Sequence, residues 1–221
     1  MSATHLPQDE TLARFAAGTL EPATRLVVAA HLEAAPQARA RLALFEATAG
    51  TLLDTLPPTA LSDDALDRTL ALLDAPPRAA ARPAASRKPP RHAARLPAGV
   101  TLPRALADCT VGRWIWVGPG VRWSRIGIPG VAHANVGLVQ VAPGRALPEH
   151  GHGGKEITYV MSGAFSDASG RYGPGDVCEA DPEVEHQPVA DARDGCICII
   201  AMEGALRFRG LLGTLLRPFT H

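Results

Sequence analysis

Two histidines and a glutamate at metal-ligand spacing are the feature that most constrains what this chain can fold into. They lie in the segment GRALPEHGHGGKEITYVMSG, residues 144–163, as His150, His152 and Glu156. Side chains two residues apart on a strand point to the same face, and Glu156 follows a Gly–Gly turn that brings it back within reach. Imidazole nitrogens and a carboxylate suit a divalent transition metal such as zinc, iron, manganese or nickel. The segment therefore predicts a metal site built on β-strands.

The rest of the carboxyl-terminal half has the pattern of an all-β domain. After Thr101, short runs rich in Val, Ile, Trp and Thr, such as NVGLVQVAPG and CICIIAMEG, alternate with Gly and Pro turns. This spacing is typical of a β-barrel or a β-sandwich. Residues 144–163 resemble the first cupin motif at every spacing, and GPGDVCEADPEVEHQP, residues 173–188, resembles the second.

The second motif supplies a fourth predicted ligand, His186, although it departs from the cupin pattern. Val184 stands where cupins usually have a glycine, and the interval from Pro182 to His186 is one residue shorter. The donor set and its spacing predict one divalent metal per chain, with zinc as the first choice, and we assign no catalytic residue. The implied ligands are His150, His152, Glu156 and His186. The alternative, surface histidines in a barrel that has lost its metal, stays open.

The first 75 residues have a helical pattern. Apolar residues recur at helical spacing, and the pattern is interrupted by Gly18, Pro22 and Pro36, residue types that end or begin helices. Ser62 is a suitable N-cap for a last helix. The pattern predicts four helices, at 8–17, 22–34, 36–55 and 62–74. A core of this size is marginal alone and would gain from a metal or a partner.

A proline-rich segment separates the two halves. Residues 76–95 contain six bases and no acid, and no aliphatic residue larger than alanine. Such a segment cannot bury enough surface to fold, and without aromatic residues a solvated linker is favoured over a nucleic-acid-binding tract. The sequence predicts an α+β chain of two domains, with a four-helix domain, a linker and an all-β cupin barrel of the double-stranded β-helix type. Their predicted ranges are 1–75, 76–98 and 99–221.

Nothing in the sequence suggests a membrane or secreted protein. No apolar run approaches the roughly 18 residues that span a bilayer, and the N-terminus lacks the basic start and apolar stretch of a signal peptide. A cytoplasmic location is expected, where the four cysteines would stay free thiols. Cys196 and Cys198 would sit about 7 Å apart on a strand, at or beyond the limit for a disulfide. With Cys178, they are either small buried residues or oxidant-sensitive thiols near the metal.

The order of helical domain, proline-rich linker and barrel is similar to the ChrR family of anti-sigma factors. The stretches that carry the resemblance are LARFAAGTL at 12–20, HLEAAPQA at 31–38, HGHGGKE at 150–156, ADPEVEHQPVA at 180–190 and CICIIA at 196–201. The resemblance implies that the helical domain sequesters a sigma factor of the extracytoplasmic-function type, while the barrel senses photooxidative or peroxide stress. The apolar residues expected to cover the sigma factor are Leu26, Leu42, Phe45 and Leu52. Ten acids against five bases in residues 1–75 would suit a basic partner.

The chain departs from this family at one site. The family's helical domain holds zinc through an early histidine and an HxxxCxxC motif, and those positions are His5, His31, Ala35 and Ala38 here. Two histidines without thiolates make a weak zinc site. We therefore expect no zinc in the helical domain, His31 on a helix face, and residues 1–10, His5 included, to be mobile.

Three functions remain open from the sequence. The leading hypothesis is a non-enzymatic anti-sigma factor whose partner is a sigma factor, without direct binding of nucleic acid or membrane, and with homodimerisation through the cupin domains as a further option. The alternative is a metal-dependent cupin enzyme, a dioxygenase or isomerase acting on a small molecule. A four-ligand zinc site would leave no position for a substrate, whereas octahedral iron or manganese would keep two. The third hypothesis is a cupin with a passive helical part and no sigma partner.

Overall fold

The described chain consists of helices followed by strands. The computed structural model describes residues 3–74, 96–97 and 99–204, and the backbone of residues 206–208. Four α-helices come first, then a 3₁₀ turn at Arg104–Leu106 and twelve β-strands. This order confirms the predicted α+β fold with an N-terminal helical part and a cupin-type barrel. Nearly all of the predicted linker lies outside the described residues, so the domain boundaries stay a prediction.

Two of the helices begin at the prolines that the sequence pattern indicated. The helices are α1 (Asp9–Ala16), α2 (Pro22–Ala34), α3 (Pro36–Asp54) and α4 (Ala65–Asp74). Pro22 and Pro36 occupy the first turn of α2 and α3, where a missing N–H costs nothing. The last helix begins at Ala65 and not at the predicted Ser62, because the N–H of Ala65 closes a turn on the Ser62 carbonyl at 2.9 Å. None of the helices in the described part of the chain is long and apolar enough to cross a membrane.

The strands form a barrel of antiparallel sheets. They are β1 (Thr110–Val111), β2 (Ile115–Gly118), β3 (Val121–Gly127), β4 (Val136–Val141), β5 (His150–His152), β6 (Glu156–Gly163), β7 (Phe165–Asp167), β8 (Gly170–Tyr172), β9 (Val177–Ala180), β10 (Val189–Ala190), β11 (Cys196–Met202) and β12 (Leu206–Phe208). The largest sheet has the order β1-β3-β4-β11-β6-β9, with β2 also paired to β3. The smaller sheets are β10-β7-β8 and β12-β5.

The central strand β11 is buried on both of its faces. Cys198 and Ile200 belong to the core inside the barrel, whereas Ile199 and Ala201 belong to a second core shared with the helices. A strand covered on both sides is expected to be a continuous apolar run, which explains the segment CICIIA.

Helix α2 lies against the outer face of β6 and β11. Val27 and Val28 of α2 are fully buried and share one hydrophobic core with Ile157 of β6 and Ile199 of β11. The barrel thus supplies the apolar burial that a helical core of this size lacks by itself.

The segment before α1 is held against the barrel, so the expectation that residues 1–10 are mobile is wrong for residues 3–10. Thr4 and His5 donate backbone N–H groups to Asp176, and Gln8 donates one to Glu179. Sequence reasoning missed these contacts because the partners lie 171 or more positions away along the chain.

Candidate metal centre

Four buried side chains from separate parts of the barrel meet at one point. His150 and His152 lie on β5, Glu156 begins β6, and His186 precedes β10. One potential ligand atom from each lies within 4.8 Å of the others, and all four residues are buried. The structure therefore brings together the four residues that the sequence singled out.

The backbone explains how the shortened second motif still delivers its histidine. His150 and His186 form a β-bridge, with N–H to carbonyl distances of 3.1 and 3.0 Å in the two directions. The altered loop between Pro182 and His186 is therefore anchored at its end. On the other side, a Cβ at Gly154 would lie 1.7 Å from the Glu203 carbonyl oxygen, so the turn that returns Glu156 to the site requires glycine there.

Two of the histidine rings are oriented by partners outside the cluster. His150 Nδ1 lies 2.7 Å from the Pro148 carbonyl oxygen, and His186 Nδ1 lies 2.9 Å from Asp167 Oδ2. The Asp167 side chain is 1% exposed and belongs to β7. A carboxylate that accepts a hydrogen bond from a metal-binding histidine is a common outer partner. The sequence analysis missed Asp167, because it lies between the two motifs and has no spacing signal of its own.

The charges in the cluster favour an ionised Glu156 and a neutral His150. Burial alone would raise the pKa of Glu156, but contact with His152, Nε2 to Oε2 at 3.1 Å, and the other two histidines lower it overall. Burial lowers the pKa of His150, against the attraction of Glu156. Neutral imidazole and ionised carboxylate are the forms that bind metal.

Buried ring nitrogens in the cluster lack hydrogen-bond partners. Among the described residues, His152 Nδ1 and His186 Nε2 are buried without one, and His152 Nε2 has only the 3.1 Å contact with Glu156 Oε2. An unsatisfied buried polar group costs about 1 to 3 kcal/mol, and a metal ion would satisfy such nitrogens. The donor set and its burial therefore fit a divalent metal ion, which would supply a positive charge to bind the carboxylate and the imidazole lone pairs.

An apolar pocket that contains two thiols adjoins the cluster. Its lining includes Glu156, His186, Cys196 and Cys198. The two sulfur atoms are 3.2 Å apart, nearer than the spacing of strand positions suggested. The contact with Cys196, together with burial, raises the pKa of Cys198 well above its ordinary value, so this thiol is protonated at neutral pH. That the resting protein has no disulfide stays a prediction.

The positions of the resembling family's N-terminal zinc site do not fit a metal in this chain. His31 is fully buried on α2, and its Nδ1 donates to the Gly175 carbonyl oxygen at 3.0 Å. Ala35 and Ala38 are buried and offer only methyl groups, while His5 lies against Asp176. Within the described ranges, the only group of three or more metal-binding side chains is the one in the barrel.

Comparison with known proteins agrees with this architecture. Residues 103–206 match the family model described as the ChrR cupin-like domain. The whole chain is 40% identical over 220 residues to the anti-sigma-E factor ChrR of Cereibacter sphaeroides, with 99% of each sequence covered.

A solved structure has the same overall fold. The crystal structure of Rhodobacter sphaeroides SigE in complex with the anti-sigma ChrR matches with a TM-score of 0.69 and 36% identity. The match covers 91% of this chain and 100% of the matched chain. The similarity thus includes the helices as well as the barrel.

Proposed function

Because this chain belongs to the ChrR family of anti-sigma factors, we propose that its helical domain binds and sequesters a sigma factor of the extracytoplasmic-function type. In this proposal the barrel binds one divalent metal ion and senses photooxidative or peroxide stress. A protein that sequesters a sigma factor acts in the cytoplasm, where RNA polymerase is found.

Exposed leucines on α3, on α4 and in the segment between these helices carry the proposal. From Leu44 onward α3 buries no residue, and α4 buries none at all. The leucines that are at least 47% exposed are Leu44, Leu52, Leu53, Leu56, Leu61, Leu66, Leu70, Leu72 and Leu73. A concentration of large exposed apolar side chains in one stretch of the chain is typical of a protein-binding site. We call these nine residues the leucine surface.

The leucine surface differs in part from the residues that the sequence suggested. Leu26 and Leu42 are in the core and cannot cover a partner, and Phe45 packs against the same core. Leu52 is 65% exposed and remains available. Helical periodicity identifies an apolar face but does not show whether that face meets the protein's own core or a partner.

The charge of the same region supports a basic partner. Between residues 43 and 74 the chain has six acids and one base, Arg68. The acids are Glu46, Asp54, Asp63, Asp64, Asp67 and Asp74. An excess of five negative charges beside the leucine surface would attract a partner with a basic surface and exclude acidic ones.

Co-elution with purified sigma factors of the extracytoplasmic-function type from the same cell tests this function. The wild-type chain should form a complex, and Leu52→Ser with Leu53→Ser should weaken it at least tenfold, since burial of one leucine contributes about 1.5 to 3 kcal/mol. Trp116→Ser is the control. Trp116 is 68% exposed on the barrel, outside the leucine surface, so its substitution should leave the affinity for the sigma factor unchanged. If no sigma factor binds the wild type, the helices are passive and the proposal fails.

We further propose that His150, His152, Glu156 and His186 are the ligands of the metal, with zinc favoured over iron, manganese and nickel. Protein purified without added metal should contain about one equivalent, because this donor set forms one four-coordinate site. His152→Ala should lower that content sharply, and His133→Ala, at an exposed histidine outside the cluster, should not. Full metal content in His152→Ala would show that the assignment is wrong.

A cupin enzyme is not the favoured function. The relative that matches 99% of this chain is an anti-sigma factor, and the similarity includes the helices that an isolated barrel enzyme would not need. The four-residue donor set also leaves a tetrahedral zinc ion no open position for a substrate.

A further inference from the structure

A carboxylate of the barrel binds the N-terminal segment of the helical domain. Asp176 accepts the N–H of Thr4 at 2.6 Å and the N–H of His5 at 2.9 Å. The Thr4 hydroxyl donates to Asp176 Oδ1 at 3.0 Å and to Oδ2 at 3.1 Å, and His5 Nδ1 lies 3.2 Å from Oδ2. The N–H of Gly173 also donates to Oδ2, at 2.8 Å, which fixes the carboxylate within its own turn.

These bonds are of the strong kind. Asp176 is 4% exposed, and hydrogen bonds to an ionised acceptor are roughly twice as strong as neutral ones. Burial alone would raise the pKa of Asp176, but the N–H groups of His5, Gly173 and Thr4 lower it to about 2. The carboxylate is therefore ionised at neutral pH. It accepts hydrogen bonds both from its own turn, at Gly173, and from the N-terminal segment, at Thr4 and His5.

The same turn also contacts helix α2. The Gly175 carbonyl oxygen accepts a hydrogen bond from His31 Nδ1 at 3.0 Å, and the N–H of Val177 donates to the His5 carbonyl oxygen at 3.1 Å. Gly175 has a φ of +95°, and a Cβ built there would lie 3.7 Å from Ala3, so the chain segments approach closely. The turn thus contacts both His5 and His31, the two histidines at positions where the resembling family has zinc ligands.

A second carboxylate, that of Glu179 on β9, binds the start of α1. Glu179 accepts the N–H of Gln8 at 2.9 Å and the hydroxyl of Thr11 at 2.9 Å, and pairs with Lys155 of the barrel at 3.2 Å. A negative charge at the first turn of a helix is favourable. The turn at Asp176 and strand β9 together therefore hold the N-terminal segment at Thr4, His5, Gln8 and Thr11.

We infer that the turn at residues 173–176 of the barrel takes the place of a structural metal in the helical domain of this chain. The N-terminal segment and α2 are joined to each other through the barrel, so the helical domain is not an independent folding unit. The turn leads directly into β9, and Ala180 of β9 pairs with Glu156 of the metal centre. The helical domain and the metal centre are thus connected through one strand pair.

Hydrogen exchange of the full chain, followed by mass spectrometry, tests this inference. In Asp176→Ala, peptides covering residues 3–16 should exchange at least tenfold faster than in the wild type, while those from β11 keep their wild-type rates. Asp191→Ala is the matched control. Asp191 is another turn carboxylate that accepts two backbone N–H groups and pairs with an arginine, but all of these partners belong to the barrel. Its exchange in residues 3–16 should equal that of the wild type.

A milder variant separates local release from general unfolding. If exchange in Asp176→Ala rises in β11 as well, Thr4→Val decides. It keeps the Asp176 carboxylate and its backbone N–H partners, and removes only the hydroxyl's two bonds to Asp176 and its 3.2 Å contact with His5 Nδ1. It should speed exchange in residues 3–16 by a factor of about three and leave β11 unchanged. Wild-type exchange of residues 3–16 in both variants would overturn the inference, and so would equal acceleration in Asp191→Ala.

Discussion

At the scale of single residues, the environment of His186 shows how the barrel orients a proposed metal ligand. Its backbone is bridged to His150, and its ring is held by Asp167 through Nδ1. The ring therefore keeps one orientation in which Nε2 lies 4.0 Å from Glu156 Oε1, inside the cluster. Asp167 bonds directly to the His186 ring, so we expect its effect on the metal to pass through His186.

The first prediction concerns this carboxylate. Asp167→Ala should lower metal affinity about 10- to 100-fold, the usual effect of removing an outer partner of a ligating histidine. Competition with a chelator at neutral pH measures it. Asp194→Ala, at an exposed acid of the same barrel, is the control. An unchanged affinity in Asp167→Ala would mean that packing alone orients His186.

At the scale of elements, α3 combines a buried beginning with an exposed end. Ala38 and Leu42 are buried, whereas Leu44, Leu52 and Leu53 in its second half are exposed. The exposed half is stabilised mainly by its own helical hydrogen bonds, which are marginal without packing. Its stability should therefore respond to helix propensity.

The second prediction uses Gly50 in that exposed half. A Cβ at Gly50 would meet nothing within 4 Å, so Gly50→Ala should stabilise the helix by about 1 kcal/mol through backbone entropy. Hydrogen exchange of residues 44–54 should slow about fivefold. Gly163→Ala should have the opposite effect and destabilise the protein, because the φ of Gly163 is +70° and the new Cβ would lie 2.1 Å from the Gly195 carbonyl oxygen. A faster exchange in Gly50→Ala would show that the second half of α3 is not helical in solution.

At the scale of the whole molecule, the helices and the barrel share one hydrophobic core and several polar contacts. The core includes Val28 of α2 and Ile199 of β11. The polar contacts include Thr24 with Glu203 at 3.2 Å and the N–H of Arg104 with Glu33 at 2.8 Å. A change in either part should therefore alter the stability of both.

The third prediction is a pH dependence of the free energy of unfolding. It arises from the hydrogen bonds between Asp176 and the N-terminal segment. The pKa of Asp176 is about 2 in the folded chain against an ordinary 3.8, so its stabilisation is complete above pH 4 and is lost as pH falls toward 2. The difference in free energy of unfolding between wild type and Asp176→Asn should be about 2 kcal/mol at pH 6 and about half of that at pH 3. Urea unfolding at both pH values measures it, with the exposed Asp194→Asn as control. A difference that does not fall with pH would contradict the ionised contact.

The fourth prediction asks whether a metal can be restored to the helical domain. His31 donates through Nδ1, and its buried Nε2 has no partner among the described residues, so a lone pair is available next to α2. Ala35→Cys with Ala38→Cys should therefore bind a second metal equivalent and should tighten the sigma-factor complex, since thiolates provide much of a structural zinc site's strength. The control is Ala43→Cys with Ala47→Cys on the exposed face of α3, which should bind none.

Two outcomes would count against this fourth prediction. No second equivalent would show that the two thiols and His31 do not converge. A variant that binds zinc but no sigma factor at any concentration would contradict the anti-sigma function itself.

The sequence by itself determined the features that depend on neighbouring residues. Pro22 and Pro36 marked helix starts within the pattern, the period-two spacing of His150 and His152 placed both on one strand face, and the family was recognisable from short motifs. These features follow from backbone geometry over a few residues, which a local pattern records.

Only the tertiary structure decided which residues distant in sequence meet. It brought Asp167 into hydrogen-bond contact with His186, and Asp176 into hydrogen-bond contact with Thr4. It also buried Leu42 in the core and left Leu52 exposed. It also ordered a segment that the missing zinc ligands suggested would be mobile. A carboxylate on a turn has the same local sequence signal whether it faces solvent or a chain segment 172 positions away, because only the packing of the elements selects its partner.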